Sequence, residues 1–188
     1  MVSPVKNQGS CGSCWAFSAT GAMESFSYQK GSKVSLSEQQ LVDCSGSFGN
    51  QGCNGGWPHY ALNYVKSNGL SSESEYPYAG KTQACKKTGG SFKISSVSSA
   101  TGCTGLQNAL SSRVISVAVD ATNWSKYSSG IFNNCAASLN HAVLLVGVSG
   151  TYWKIKNSWG TSWGESGYIR LTLGNTCGLC NHEGVWPL

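Results

Sequence analysis

Residues Gln8-Gly9-Ser10-Cys11-Gly12-Ser13-Cys14-Trp15-Ala16-Phe17 constrain this chain more than any other stretch. A glycine-rich turn ends at a thiol, and an apolar, helix-compatible run starts at the same point. The first turn of a helix leaves backbone N–H groups without intrahelical partners. Together with the positive end of the dipole they stabilise a thiolate, which is the nucleophilic form. Such a nucleophile needs an imidazole to take its proton and a third group to orient that imidazole. The far end of the sequence carries both residue types, in Asn140-His141-Ala142 and in Lys156-Asn157-Ser158-Trp159-Gly160.

The search for the imidazole is short, because the chain has three histidines. His59 follows Trp57-Pro58 at an expected helix start, where a solvated side chain is the plainer reading. His182 lies in a cysteine-rich tail. His141 precedes an apolar run, 142–148, that reads as a buried strand. A histidine beside a strand is ordinarily just packed or solvated. Cys14 upstream and Asn157 sixteen positions on, in a Trp-flanked turn, favour the chemical reading.

Trp15, Ala19, Ala22 and Phe26, at 4-3-4 spacing, predict a helix from residue 14 to about 30, with Gly31 as its terminator. Its many Ala, Ser and Gly residues suggest close packing and a central, buried position. Ser37 with Gln40 is a capping-box pattern for a short helix ending near Cys44. Pro58 fits the first turn of a third helix, with Ala61, Leu62 and Val65 facing inward and Gly69 ending it. After about residue 110 the texture changes: 114–119, 142–148, 152–156 and 167–173 are apolar or alternating runs bounded by Gly, Ser and Asn, hence strands. A helical first half and a strand-rich second half predict an α+β protein of two lobes. The expected lobes are 1–100, carrying Cys14, and 101–184, carrying His141 and Asn157, with the tail 185–188 crossing back. The site then falls in the cleft between them.

At 188 residues with 11% charged and 11% aromatic residues, the chain affords a sizeable core and is not disordered in composition. The net charge of +5 is scattered, with no interleaved basic and aromatic stripe, so no nucleic-acid surface is expected. The longest strongly apolar run falls short of the ~18 residues of a membrane span. No signal peptide opens the chain, which leaves its destination open.

Nine cysteines are an odd number. In a reducing cytosol so many thiols usually mean metal; in an oxidising compartment they mean bridges and one left over. Two CxxC pairs occur, Cys11 with Cys14 and Cys177 with Cys180. Structural zinc sites usually draw their pairs from within about 15–20 intervening residues, and these two lie far apart. A thioredoxin-like motif follows a strand and has Trp before its first Cys, whereas here Trp15 follows the second. Neither a metal nor any other cofactor is expected.

QGSCGSCWAF, SEQQLVDC (37–44), GCNGG (52–56), NHAV (140–143) and KNSWGTSWGESGYIR (156–170) stand in one order along nearly the whole chain. Together they resemble the papain and cathepsin L family of cysteine peptidases. The resemblance implies a papain-like fold with a helical lobe and a β-barrel-like lobe. It implies Cys14 as nucleophile, His141 as base and acid, Asn157 as orienter and Gln8 as oxyanion donor, with Trp159 covering the Asn–His hydrogen bond. The reactive pair is expected as Cys14 thiolate and His141 imidazolium, the thiol pKa depressed and the two groups titrating together. The implied bridges are Cys11–Cys53, Cys44–Cys85 and Cys135–Cys177. Cys103 and Cys180 depart from the pattern, and a further bridge between them is the simplest accounting.

Gly55 and Gly56 are the implied edge for the substrate backbone, glycine permitting close approach, with Gly12 and Asn140 beside it. Trp57, Pro58, Ala118, Leu139 and Ala142 are the implied pocket for the residue two before the scissile bond. Its floor falls at His182 or Glu183, where the tail reads about one residue longer than the pattern. The absence of a His-rich inserted loop favours an endopeptidase. By the same resemblance the partners are protein and peptide substrates, a propeptide and cystatin-like inhibitors. The chain is expected to be monomeric and to be lysosomal, vacuolar or secreted. Lacking an Asp-Trp-Arg lead-in, it reads as starting about ten residues inside a typical mature N-terminus and without its propeptide. An inactive homologue would lose a catalytic group, as silicatein-like relatives carry Ser at the nucleophile; all four positions here are intact.

Overall fold

Helix α1 (Cys14–Gln29) forms at the expected stretch and is buried along most of its length. Small side chains explain how neighbours reach it from several directions. A Cβ on Gly21 would lie 2.9 Å from Leu144 Cδ2, and Ser18 Oγ donates to the Val143 carbonyl at 2.6 Å. Trp15, Ala19 and Ala22 are buried as their spacing predicts. Phe26 is not: it stays partly exposed beneath the Lys30 ammonium, 3.9 Å from its ring centroid. The computed structural model describes residues 1–188.

Helix α2 (Glu38–Cys44) starts as half of a capping box. Ser37 Oγ accepts from the Gln40 N–H at 3.0 Å, but the Gln40 side chain turns away to the Ser71 N–H and the Gly89 carbonyl. Helix α3 (Pro58–Asn68) has Pro58 in its first turn and Ala61, Leu62 and Val65 buried; Gly69, at φ +82°, ends it. Helix α4 (Gly102–Leu110) was not legible in the sequence. Its Gly, Thr and Asn content is poor helix former, and Leu106 is its one buried residue, so no periodic stripe marks it.

The strands are β1 (Val97–Ala100), β2 (Ile115–Val119), β3 (Ile131–Phe132), β4 (His141–Val148), β5 (Tyr152–Lys156), β6 (Tyr168–Thr172) and β7 (Gly184–Pro187). They form one mixed sheet in the order β1-β7-β2-β4-β5-β6-β3. Only β3 and β6 pair in parallel. The sheet is open, which corrects the expected barrel-like closure. Its two edge strands, β1 and β3, do not pair with each other. One core cluster joins Leu106, Val117, Trp124, Trp153 and Trp186; a second joins Trp15, Leu41, Tyr64 and Leu70 and draws in Ala142 and Val185. Strand β7 therefore serves both cores, and the Leu188 carbonyl accepts from Ser95 N at 2.8 Å.

A charged cluster is buried where the N-terminal segment, α1, α2 and β5 meet. Lys6 Nζ lies 2.8 Å from Glu24 and 2.6 Å from Glu38, Thr20 donates to Glu38 at 2.7 Å, and Lys156 donates to Ser3 at 3.1 Å. Burial pulls Lys6 down, yet the Glu38 and Glu24 carboxylates leave it raised. Burial raises Glu38 to about 7 against the pull of Lys6. Being raised, Glu38 contributes stability below its unfolded value that is lost as pH rises through about 7. His141, lowered by burial to about 4, contributes with the opposite sign and loses its share as pH falls. The two oppose each other between about pH 4.5 and 6.5. Relative to the parent, Glu38→Gln is expected to gain stability steadily as pH rises across that window, read from urea midpoints; a constant difference would show that Glu38 does not titrate there.

Candidate active site

Cys14 opens α1, and the preceding cap residue, Ser13, offers its carbonyl but no side-chain cap, accepting from Ala16 and Phe17 N–H. The N–H groups of Cys14 and Trp15 are left to face the sulfur, as does the N–H of Ala142 on β4. Burial raises the Cys14 thiol, and these three donors pull it back. The net direction is upward, and His141 is held down to about 4 by burial against its hydrogen bond to Asn157. Taken singly, each group is therefore disfavoured in its charged form, and the Cys14 thiol lies above its ordinary value where a depressed one was expected. Helix and donors act as expected, but burial of both groups outweighs them.

His141 begins β4 and Asn157 follows β5, so adjacent strands present the two side chains to each other. His141 Nε2 and Asn157 Oδ1 are 2.8 Å apart. The Ser158 backbone N–H donates to the same Oδ1 at 2.8 Å, which fixes the oxygen of the amide at that place. An oxygen only accepts, so Nε2 carries the proton and Nδ1 is left as an acceptor. Trp159 lies over this imidazole at 5.0 Å between centroids, and Trp124 meets it edge-on at 6.1 Å. The Asn157 Nδ2 group is buried without a partner, so the amide is held through its oxygen alone.

Gln8 is buried and pinned at both ends of its amide. Its Oε1 accepts from Ser158 Oγ at 2.7 Å, and its Nε2 donates to the Cys11 carbonyl at 3.0 Å. One Nε2 hydrogen remains free for another acceptor. Ser158 therefore holds both Gln8 and Asn157, a role sequence reasoning missed although the residue lies inside a quoted block. Trp124 was missed as well, because nothing near it in sequence marks it as a neighbour of His141.

Cys14 and His141 line one cavity of about 180 Å³ with Gly55, Gly56, Trp57, Ala118, Leu139, Asn140 and Ala142. Gly56 has no room for a side chain: a Cβ would stand 2.4 Å from Asn50 Oδ1. Other predicted residues lie off this wall. Gly12 donates its N–H to the Cys53 carbonyl at 3.0 Å, and Pro58 is buried at the start of α3. His182 stacks at 4.6 Å on Trp57, whose indole lines this cavity. The bridges are Cys11–Cys53, Cys44–Cys85, Cys103–Cys180 and Cys135–Cys177, leaving Cys14 as the free thiol. Neither CxxC pair bonds internally, and no cluster of three metal-ligating side chains occurs. No helix is long and apolar enough to cross a membrane.

The profile of the papain family cysteine proteases matches residues 1–185. Cathepsin L 2 of Paramecium tetraurelia is 51% identical over 183 residues, covering 94% of this chain and 57% of its own length. The thiol protease aleurain of Arabidopsis thaliana is 44% identical over 197 residues, covering 95% of this chain and 55% of its own. The chain thus spans little more than half the length of these relatives. Among solved structures, a Carica candamarcensis cysteine protease in complex with E-64 superposes with a TM-score of 0.92 at 39% identity, covering 99% of this chain and 92% of its own. Procathepsin L 3 of the Tenebrio molitor larval midgut gives 0.91 at 42%, covering 99% and 66%. With these relatives, a free thiol at a helix start and an Asn-held imidazole on the same cavity, the chain belongs to the papain family of cysteine proteases.

Proposed function

We propose that this chain is a cathepsin L-like cysteine endopeptidase acting through Cys14, His141, Asn157 and Gln8. The tautomer carries the reading: Asn157, itself fixed by Ser158, makes Nε2 the donor and leaves Nδ1 of His141 free to receive the Cys14 proton. Burial disfavours each charge alone, so thiolate and imidazolium form together, each stabilised by the other. The thiolate attacks a peptide carbonyl. The free Nε2–H of Gln8 and the Cys14 backbone N–H meet the oxyanion, each such donor contributing about 2.7–4 kcal/mol. His141 then protonates the leaving amine, the acyl group stays on Cys14 as a thioester, and water activated by His141 releases it.

The proposed lobes divide near residue 100, and the substrate lies between them along Gly55 and Gly56. The proposed partners are protein substrates, a propeptide and cystatin-like inhibitors, acting on a monomer. Four bridges fit an oxidising compartment, lysosomal, vacuolar or extracellular. An epoxysuccinyl inhibitor followed by peptide mass mapping tests the assignment. One equivalent on Cys14 supports it; no label, or label elsewhere, rejects it.

His141→Ala is expected to lower turnover by about 10²–10⁴, the usual worth of general acid–base catalysis. Asn157→Ala removes a hydrogen bond that orients the ring and raises its basicity, so its loss is smaller. Equal loss in two folded variants would show that orientation and proton transfer are not separate here. Substrate preference follows from the cavity. Trp57, Ala118, Leu139 and Ala142 make it apolar, and burying one aliphatic side chain yields about 1.5–3 kcal/mol. A positional peptide library is expected to select Leu, Val or Phe two residues before the cut; selection of Asp or Gly would contradict this pocket.

A further inference from the structure

The fourth bridge joins two places that matter to the cavity without lining it. Cys103 stands at the second position of α4, a helix whose cap makes no side-chain hydrogen bond. Cys180 lies in the short segment between the Cys135–Cys177 bridge and the start of β7. Only Asn181, His182 and Glu183 separate Cys180 from Gly184. Gly184 is itself pressed against α4, since a Cβ there would lie 2.5 Å from Leu106 Cδ2. The three residues are therefore held at both ends by α4, by a covalent bond on one side and by packing on the other.

His182 is the centre of that short span. Its ring stacks on the indole of Trp57 at 4.6 Å with 23° between the planes. Its Nδ1 donates back to the Glu183 carbonyl at 3.2 Å, inside the same segment. Exposed Asn175 accepts from Cys180 N at 2.9 Å and donates to Asn181 at 2.7 Å, and the Asn181 N–H donates to the Gly178 carbonyl at 2.9 Å. Water competes with the exposed Asn175 bonds, and the bridge is the covalent hold nearest His182, two residues away. Trp57 is the cavity's largest wall residue, so what fixes its indole fixes the cavity's shape.

We propose that the Cys103–Cys180 bridge is a specificity element: it keeps His182 stacked on Trp57 and thereby sets the wall met by the substrate side chain two before the scissile bond. This rests on the peptidase reading above. His182 and the bridge are positioning groups, acting on substrate through Trp57. Neither takes part in the chemistry at Cys14.

The test compares two peptide substrates identical except for Leu or Ala two before the cut, and takes the ratio of their kcat/KM values. His182→Ala, the pair Cys103→Ser/Cys180→Ser, and all three together are measured beside the parent. Each of the first two is expected to lower the ratio about three- to tenfold, the worth of one aromatic pair, with the change carried by KM. The triple variant is expected to lose no more than either, because both changes release the same contact. His182→Phe, which keeps a ring on the indole, is expected to retain the parent ratio. An additive triple variant, or a bridge-free protein with the parent ratio, overturns the proposal. If the bridge-free protein does not fold, a glycine inserted between Cys180 and Asn181 keeps the bridge but frees the histidine; an unchanged ratio there overturns the proposal equally. Labelling of Cys14 by the epoxysuccinyl inhibitor is measured on every variant. Absence of label on the parent rejects the peptidase reading itself, whereas full label with unchanged ratios rejects only the role of the bridge.

Discussion

Cys14→Ala abolishes peptide hydrolysis and leaves the fold in place, as an expected result of where this thiol sits. Cys14 carries no bridge, so its removal breaks no covalent link. Alanine is the best helix former, so α1 keeps its first turn. What is lost is the one group able to form the thioester. The oxyanion donors and the binding surface remain, and in comparable hydrolases such remnants give about 10³–10⁴ over water, far below enzymatic turnover. Circular dichroism and urea midpoints report the fold, and a fluorogenic peptide reports the activity. More than a few percent residual activity in a folded, uncontaminated variant would sink the assignment of Cys14. Cys14→Ser is expected to behave alike, because the hydroxyl proton is far harder to remove than that of the thiol.

Full reduction is expected to unfold the chain at ambient temperature. The four bridges span sequence separations of 42, 41, 77 and 42 residues. Taken singly, chain entropy assigns loops of this length about 4 kcal/mol each. The loops overlap, so the contributions do not add fully, yet a domain's whole stability is about 5–15 kcal/mol. Loss of all four leaves little. The signature is a cooperative loss of near-ultraviolet signal as eight further thiols appear. Survival of native signal with all nine thiols titrating would mean that packing alone holds this fold. Non-reducing peptide mapping checks the pairing, and a Cys11–Cys14 linkage would overturn it.

The helical half was legible because its signals are local. Pro58 and Gly69 bracket α3, and Ser37 caps α2, through bonds that reach only a few residues along the chain. Strands β2, β4, β5 and β6 were legible because each is a bounded run of apolar or alternating residues. Strands β1 and β7 were not. One is largely Ser and Ala, the other ends in Pro187, and both exist because they pair with each other and β7 with β2. Helix α4 was silent for the same reason: it is held by Leu106, Gly184 and a bridge, none of which shows in its own periodicity.

The sequence by itself pointed to the residues proposed to carry the chemistry, since Cys14, His141, Asn157 and Gln8 sit in motifs whose residue types and order single them out. It also determined that one thiol of nine stays out of the bridges. Tertiary structure alone decided the state and the surroundings of that site. Burial pushes the Cys14 thiol up and the His141 imidazole down, Ser158 ties Gln8 to Asn157, and His182 stacks on Trp57. The division has a physical cause. Residue chemistry and short-range hydrogen bonds are properties of neighbours in sequence, whereas desolvation and ring stacking depend on atoms that meet only after the chain has closed on itself.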